Sequence, residues 1–143
     1  MSIHLDNCLY NEVVFMEKDD CLLQWFAFTK KQKEVEAILE KELAEKQKLS
    51  LKEFYVLYFL NEQEEHKMIL QQLQQLVGLS QSAMSRMIGR MESSACCAYI
   101  KRCECEKDKR SVYICLTEKG QHKLIKTIET VTSILEEQFS DTK

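Results

Sequence analysis

The sequence predicts a mainly α (α+β) fold: a set of helices with one small β-hairpin. Three observations point to it. No proline and only three glycines occur in 143 residues, which is too little turn punctuation for a many-stranded sandwich or barrel. Apolar residues recur at helical spacing along most of the chain. One late stretch, Ser111 to Leu116, alternates apolar and polar residues as a half-buried strand does. With 45% hydrophobic and 30% charged residues, the chain has the balance of one domain that buries a core.

Asp20 to Gln47 reads as one long helix. Leu22, Trp25, Phe26, Ile38, Leu39 and Leu43 fall near i, i+3, i+4 spacing, and no glycine or proline interrupts them. A helix this long outgrows the flank of a small domain, so part of it should pack against another element or chain. Ser50-Leu51-Lys52-Glu53 has the pattern of a capping box and starts a second helix, with Phe54, Leu57 and Leu60 as its buried stripe. Asn61 to Lys67 is polar and acidic and reads as a loop.

Met68 to Val77 reads as the next helix, with Ile69, Leu73 and Leu76 on one face. Gly78 can take the positive φ that ends a helix, and Ser80 can cap the one that follows. In that helix Met84, Met87, Ile88 and Met91 form an apolar stripe. Gln81, Ser82, Ser85, Arg86 and Arg90 lie off it. Two helices joined by a short glycine turn, the second with a polar and cationic outer side, are a helix-turn-helix.

Tyr99 to Cys103 is a weaker strand candidate. Glu106-Lys107-Asp108-Lys109 reads as a charged turn, and Val112, Ile114 and Leu116 as the buried side of a second strand. Together they predict a two-stranded β-wing. Thr117 can cap the last helix, where Leu124, Ile128, Val131, Leu135 and Phe139 form a stripe outside the helix-turn-helix. That stripe is expected to pair with the long first helix and with the same elements of a second chain. The expected divisions are 1–48, an N-terminal region and long dimerisation helix; 49–118, the winged helix-turn-helix; and 119–143, a C-terminal dimerisation helix.

Charge is uneven. The chain carries a formal −3, but residues 1–67 hold −5 and residues 80–119 hold +3. A cationic block in an acidic chain fits one face that meets an anion, although a solvated surface is the plain alternative. Cys21 to Phe28, the most apolar stretch, is too short to span a bilayer. Met1 to Asp6 lacks the basic start of a secretion signal. The seven cysteines are therefore expected to be reduced thiols of a cytoplasmic protein. Cys96-Cys97 and Cys103-x-Cys105 lack the paired spacing of a zinc site, and His4, His66 and His122 show no ligand pattern. No metal or cofactor is expected. With no paired carboxylates, nucleophile–histidine arrangement or phosphate-binding glycine loop, neither is catalysis.

Asp108-Lys109-Arg110 followed by Ser111 to Leu116 and Thr117-Glu118-Lys119-Gly120 resembles the wing and following helix of the MarR family of winged helix-turn-helix transcription regulators. Leu73, Leu76, Leu79-Ser80-Gln81-Ser82, Met84-Ser85-Arg86 and Met91-Glu92 are similar to the family's helix-turn-helix. Leu49 to Leu57 resembles the preceding helix. One departure is the stretch from Glu92 to Arg102, longer than the family's and without its glycine, which leaves the first wing strand in question.

The resemblance implies a homodimeric, sequence-specific regulator of double-stranded DNA, a repressor released by an effector, on a pseudo-palindromic operator. Two-fold protein symmetry would read two half-sites about one helical turn apart, roughly 34–36 Å. Ser80, Gln81, Ser82 and Ser85 are candidates for base-edge or phosphate contacts in the major groove. Arg86 and Arg90 can reach phosphate or guanine, or one can brace the wing through Asp108. Arg110, carried over from the family, should reach the minor groove. Lys107 and Lys109 would add backbone contacts, and Asp108 would orient an arginine.

Trp25, Phe28, Tyr55 and Tyr58 are candidates to line a pocket for an aromatic or lipophilic effector, against plain core packing. Cys21, one turn before Trp25, loosely resembles the first helix of thiol-based peroxide sensors of the family, although Asp19 and Asp20 disfavour a reactive thiolate and a small buried hydrophobe is the other reading. A redox regulator using Cys21 and a protein-binding winged helix remain as alternatives. No membrane partner is expected.

Overall fold

Helix α1 runs from Leu5 to Lys46, starting well before the Asp20 read from the periodicity. Nothing before Asp20 stops it: no proline or glycine precedes that point. The computed structural model describes the backbone of residues 5–93, 98–105 and 108–140, and the side chains of 19–93, 98–104 and 110–140. The chain divides into two units, residues 1–37 and 38–143. No helix of the described residues is long and apolar enough to cross a membrane.

In the first unit every residue from Cys21 to Phe28 is exposed. Leu22, Leu23, Trp25, Phe26 and Phe28 are among them, and they point to several sides of the helix rather than one. Trp25 and Phe28 stack one turn apart, ring centroids 6.2 Å from each other.

The second unit contains the end of α1 and seven further elements. Leu39 and Leu43 bury the inner side of α1. Near its end Lys46 lies 2.9 Å from Glu42, and that ammonium holds the Glu42 carboxyl below its ordinary range. Helix α2 (Leu51–Asn61) opens on the predicted capping box. The Glu53 N–H donates to Ser50 Oγ at 3.1 Å, and the Ser50 N–H donates to Glu53 Oε1 at 2.9 Å. Phe54, Leu57 and Leu60 are buried, joined by Leu51 and Val56.

Strand β1 (Lys67–Ile69) comes next and departs from the helical reading of this stretch. Residues 67–69 pair with β3 instead, and His66, just before them, holds a positive φ of 54°. Helix α3 therefore begins only at Leu70 and ends at Val77. Its buried pair is Leu73 and Val77, whereas Leu76 is exposed. The inward residues of the helix are thus 73 and 77, an i, i+4 pair, rather than the expected 69, 73 and 76.

Gly78 caps α3 with φ 80°, a conformation that costs glycine little and other residues much. Helix α4 (Gln81–Ser93) follows, and buries the four predicted residues Met84, Met87, Ile88 and Met91. Ser80 caps it: the Ala83 N–H donates to Ser80 Oγ at 3.2 Å.

Strands β2 (Ile100–Cys105) and β3 (Asp108–Leu116) form the wing. The sheet is antiparallel in the order β1-β3-β2, so the expected two-stranded wing gains a third strand. Asp108 and Lys109 belong to β3 rather than to a turn. Met68, Ile100, Ile114 and Leu116 bury one face, while Val112 near the tip is exposed.

Cys103 and Cys115 lie on the opposite face and are joined by a disulfide, Cα–Cα 6.3 Å. For these two cysteines this corrects the expectation of reduced thiols, whereas Cys21 keeps a free thiol: the strand register puts the pair one diagonal step apart, within the 4.4–6.8 Å usual for a disulfide.

Helix α5 (Glu118–Phe139) is capped by Thr117, whose Oγ1 accepts from the Gly120 N–H at 3.0 Å. Its buried side is Leu124, Thr127, Val131 and Ile134. Of the expected stripe, Ile128 and Leu135 are half-buried and Phe139 is exposed, as is Ile125. The Thr130 hydroxyl accepts from Gln47 Nε2 at 3.1 Å, tying α5 to the residue after α1.

Candidate nucleic-acid interface

The apolar stripe of α4 decides which of its residues meet solvent. With Met84, Met87, Ile88 and Met91 turned inward, Gln81, Ser82, Ser85, Arg86 and Arg90 all stand exposed. Hydroxyl, amide and guanidinium groups on one protruding helix can donate to and accept from base edges and phosphates. Ser80 is also exposed, but its Oγ is engaged as the helix cap and lies 3.4 Å from Ser82 Oγ.

The wing stands beside this helix. A groove of about 230 Å³ runs between α3, α4 and β3. Gln81 and Ser85 line it from α4, Arg110 and Ser111 from β3, and Gln71 and Gln74 from α3. The structure thus brings Gln81, Ser85 and Arg110 together. Arg86, Arg90 and Ser82 face solvent outside that lining. Lys107 and the side chains of Asp108 and Lys109 lie outside the described residues, as do Cys96 and Cys97.

The wing is anchored at its base. Arg102 on β2 holds Glu92 near the end of α4, Nε to Oε1 2.9 Å. The Tyr99 N–H donates to the Met91 carbonyl at 3.3 Å, and the Thr117 N–H donates to the Tyr99 carbonyl at 3.0 Å. The long, glycine-free stretch before the wing therefore still delivers a first strand. The brace expected between Asp108 and Arg86 or Arg90 lies outside the described residues, since the Asp108 side chain does. The brace found here uses Arg102 and Glu92. Their separation of ten residues carries no local signal, so only the returning strand reveals it. Gln71 and Gln74 were also missed; the one hint was their place in the charge-free stretch 68–79.

The other candidates do not line this groove. Trp25 and Phe28 belong to the first unit, exposed and stacked on each other. Tyr55 and Tyr58 belong to α2 in the second unit, where both rings lie about 6.1 Å from that of Phe54. Cys21 is exposed with a free thiol, not a small hydrophobe in the core.

Two helices across a left-handed glycine turn, followed by a braced hairpin, define a winged helix-turn-helix regulator of the MarR type. A profile of the family described as transcriptional regulator SarA/Rot matches residues 38–128. The chain belongs to that family. No curated protein matches its sequence.

Among solved structures it is similar to AbsC, a MarR family transcriptional regulator from Streptomyces coelicolor. The two are 25% identical, with a TM-score of 0.76 over 85% of this chain and 80% of AbsC. Sco3205, a MarR family regulator from the same organism solved in complex with DNA, is 20% identical, with a TM-score of 0.74 over 84% of this chain and 73% of its own. The C80S mutant of MarR from E. coli, complexed with operator DNA, is 18% identical, with a TM-score of 0.67 over 93% and 86%.

Proposed function

We propose that this transcriptional regulator binds double-stranded DNA as a homodimer, laying α4 in the major groove and the wing alongside. The observation that carries this reading is the convergence of Gln81 and Ser85 of α4 with Arg110 of the wing on one groove, within the segment of net positive charge. The DNA complexes of Sco3205 and of MarR, which share the fold, support it.

Pairing of two chains is supported by the apolar residues left uncovered in one. Leu22, Trp25, Phe26 and Phe28 on α1, with Ile125 and Phe139 on α5, are all about half exposed or more. Large apolar side chains left exposed on an element favour an interaction site there. The divisions proposed are a dimerisation region at 1–48, the DNA-binding winged helix at 49–118 and a second dimerisation helix at 119–143.

We read the protein as a repressor released by an effector. An effector acts by preferring a dimer whose two α4 helices no longer match the half-site spacing. Aromatic side chains at Trp25, Phe28, Tyr55 and Tyr58 suit an aromatic or lipophilic ligand. The deciding experiment is selection of bound duplexes from random DNA, with binding then followed as salt is raised. A two-fold symmetric consensus and a steep loss of affinity with salt are expected. Enrichment of no sequence, or binding indifferent to salt, would overturn the reading in favour of a protein-binding winged helix.

A further inference from the structure

Cys103 and Cys115 face outward from the wing, on the side of the sheet away from Ile100, Ile114 and Leu116. Both are only half-buried, so small molecules reach them. The register also fixes their neighbours. Cys115 is paired directly with Lys101 on β2 and with Lys67 on β1. Residues opposite each other in an antiparallel pair project to the same face with Cβ atoms roughly 4.5–5.5 Å apart. Lys101 and Lys67 are therefore the cross-strand neighbours of Cys115 on its two sides. Glu65 offsets part of the charge on Lys67, at 2.7 Å. The thiolate is the form of cysteine that exchanges with disulfides.

We propose that Cys103 and Cys115 are a thiol–disulfide exchange site for low-molecular-weight disulfides, and that the bond sets how firmly the wing grips DNA. Forming it takes two steps. The Cys115 thiolate attacks one sulfur of a small disulfide RSSR, giving a Cys115–S–SR mixed disulfide and RS⁻, which takes up the proton that Cys115 lost. The Cys103 thiolate then attacks the Cys115 sulfur and expels a second RS⁻, which takes the Cys103 proton. Two cysteine thiols are oxidised and RSSR is reduced to two RSH; excess RSH reverses the exchange.

The link to DNA is geometric and rests on the reading of the wing as a DNA-binding element. The bond closes a loop that contains Arg110. A crosslink removes conformations from the loop it closes, so less freedom is lost when Arg110 is immobilised on a phosphate. The oxidised wing is the tighter binder.

The test uses the full chain equilibrated in mixtures of reduced and oxidised glutathione. Thiols are trapped by alkylation and mapped by mass spectrometry, and binding to a mixed-sequence duplex at low ionic strength is followed by fluorescence anisotropy. A Cys103–Cys115 peptide is expected in the oxidised sample, with affinity roughly 3- to 10-fold higher than in the reduced one. Cys103→Ser and the double variant with Cys115→Ser should stay at the reduced affinity in every mixture, while Cys21→Ser keeps the full response. Equal affinity in both states, or a response that survives in the double variant, overturns the inference and leaves DNA binding standing. Both thiols found free in the oxidised mixture also overturn it. Absence of duplex binding in either state removes the inference and the proposed function together.

Discussion

Arg102 Nε lies 2.9 Å from Glu92 Oε1, joining the first strand of the wing to the last turn of α4. The two elements proposed to enter adjacent grooves of DNA are thus held at a fixed offset by one ion pair. The side chains are 48% and 28% exposed, so solvent screens the pair, and it adds at most about 1 kcal/mol to stability. Its effect is on position. Arg102→Ala or Glu92→Gln should leave the urea midpoint almost unchanged yet weaken duplex binding several-fold. A large drop in midpoint with unchanged binding would reverse that assignment.

Arg110 is exposed and lines the groove beside α4. As a phosphate or minor-groove contact it carries little sequence information. Alanine at this position should lower affinity for every duplex by a similar factor and reduce the slope of log affinity against log salt by about one. An unchanged slope would take Arg110 out of the interface.

Gln81 and Ser85 lie one turn apart on the same groove. Loss of an amide or hydroxyl that reads a base edge costs about 1–3 kcal/mol of discrimination at that base pair, with little effect elsewhere. Gln81→Ala and Ser85→Ala should each relax the selected consensus at one or two positions per half-site. A consensus identical to that of the unaltered protein after both changes would place recognition elsewhere on the helix.

Local signals carried most of this fold. The Ser50–Glu53 box, the Gly78 turn, the Ser80 and Thr117 caps and the four-residue stripe of α4 each depend on residues within one or two turns, and each formed as read. What the sequence left out depends on distant partners. Strand β1 exists because residues 67–69 find β3 almost fifty residues later, and nothing in Lys67-Met68-Ile69 itself argues against a helix. The Arg102–Glu92 brace and the Cys103–Cys115 bond likewise need the hairpin register. For the site, the exposed face of α4 was legible because its apolar complement was. Its meeting with Arg110 and the α3 glutamines was not, since a sequence shows no crossing angles.

Gly89 and Gly120 make a paired prediction about why the chain keeps glycine in its helices. Gly120 lies in the first turn of α5, where an added Cβ would overlap the Tyr99 carbonyl and crowd the Leu116 side chain. That carbonyl is fixed by the Thr117 N–H at 3.0 Å, so the backbone cannot yield without opening the junction between wing and helix. Gly120→Ala should therefore destabilise the fold by about 1–3 kcal/mol. Around Gly89, inside α4, nothing lies within 4 Å of an added Cβ. Alanine there removes unfolded-state freedom and gains helix propensity, so Gly89→Ala should stabilise by roughly 0.5–1 kcal/mol. Urea unfolding of both variants checks the pair: a stabilising shift for Gly120→Ala would show that the packing around Gly120 is not as described, and a destabilising one for Gly89→Ala that the space around Gly89 is not.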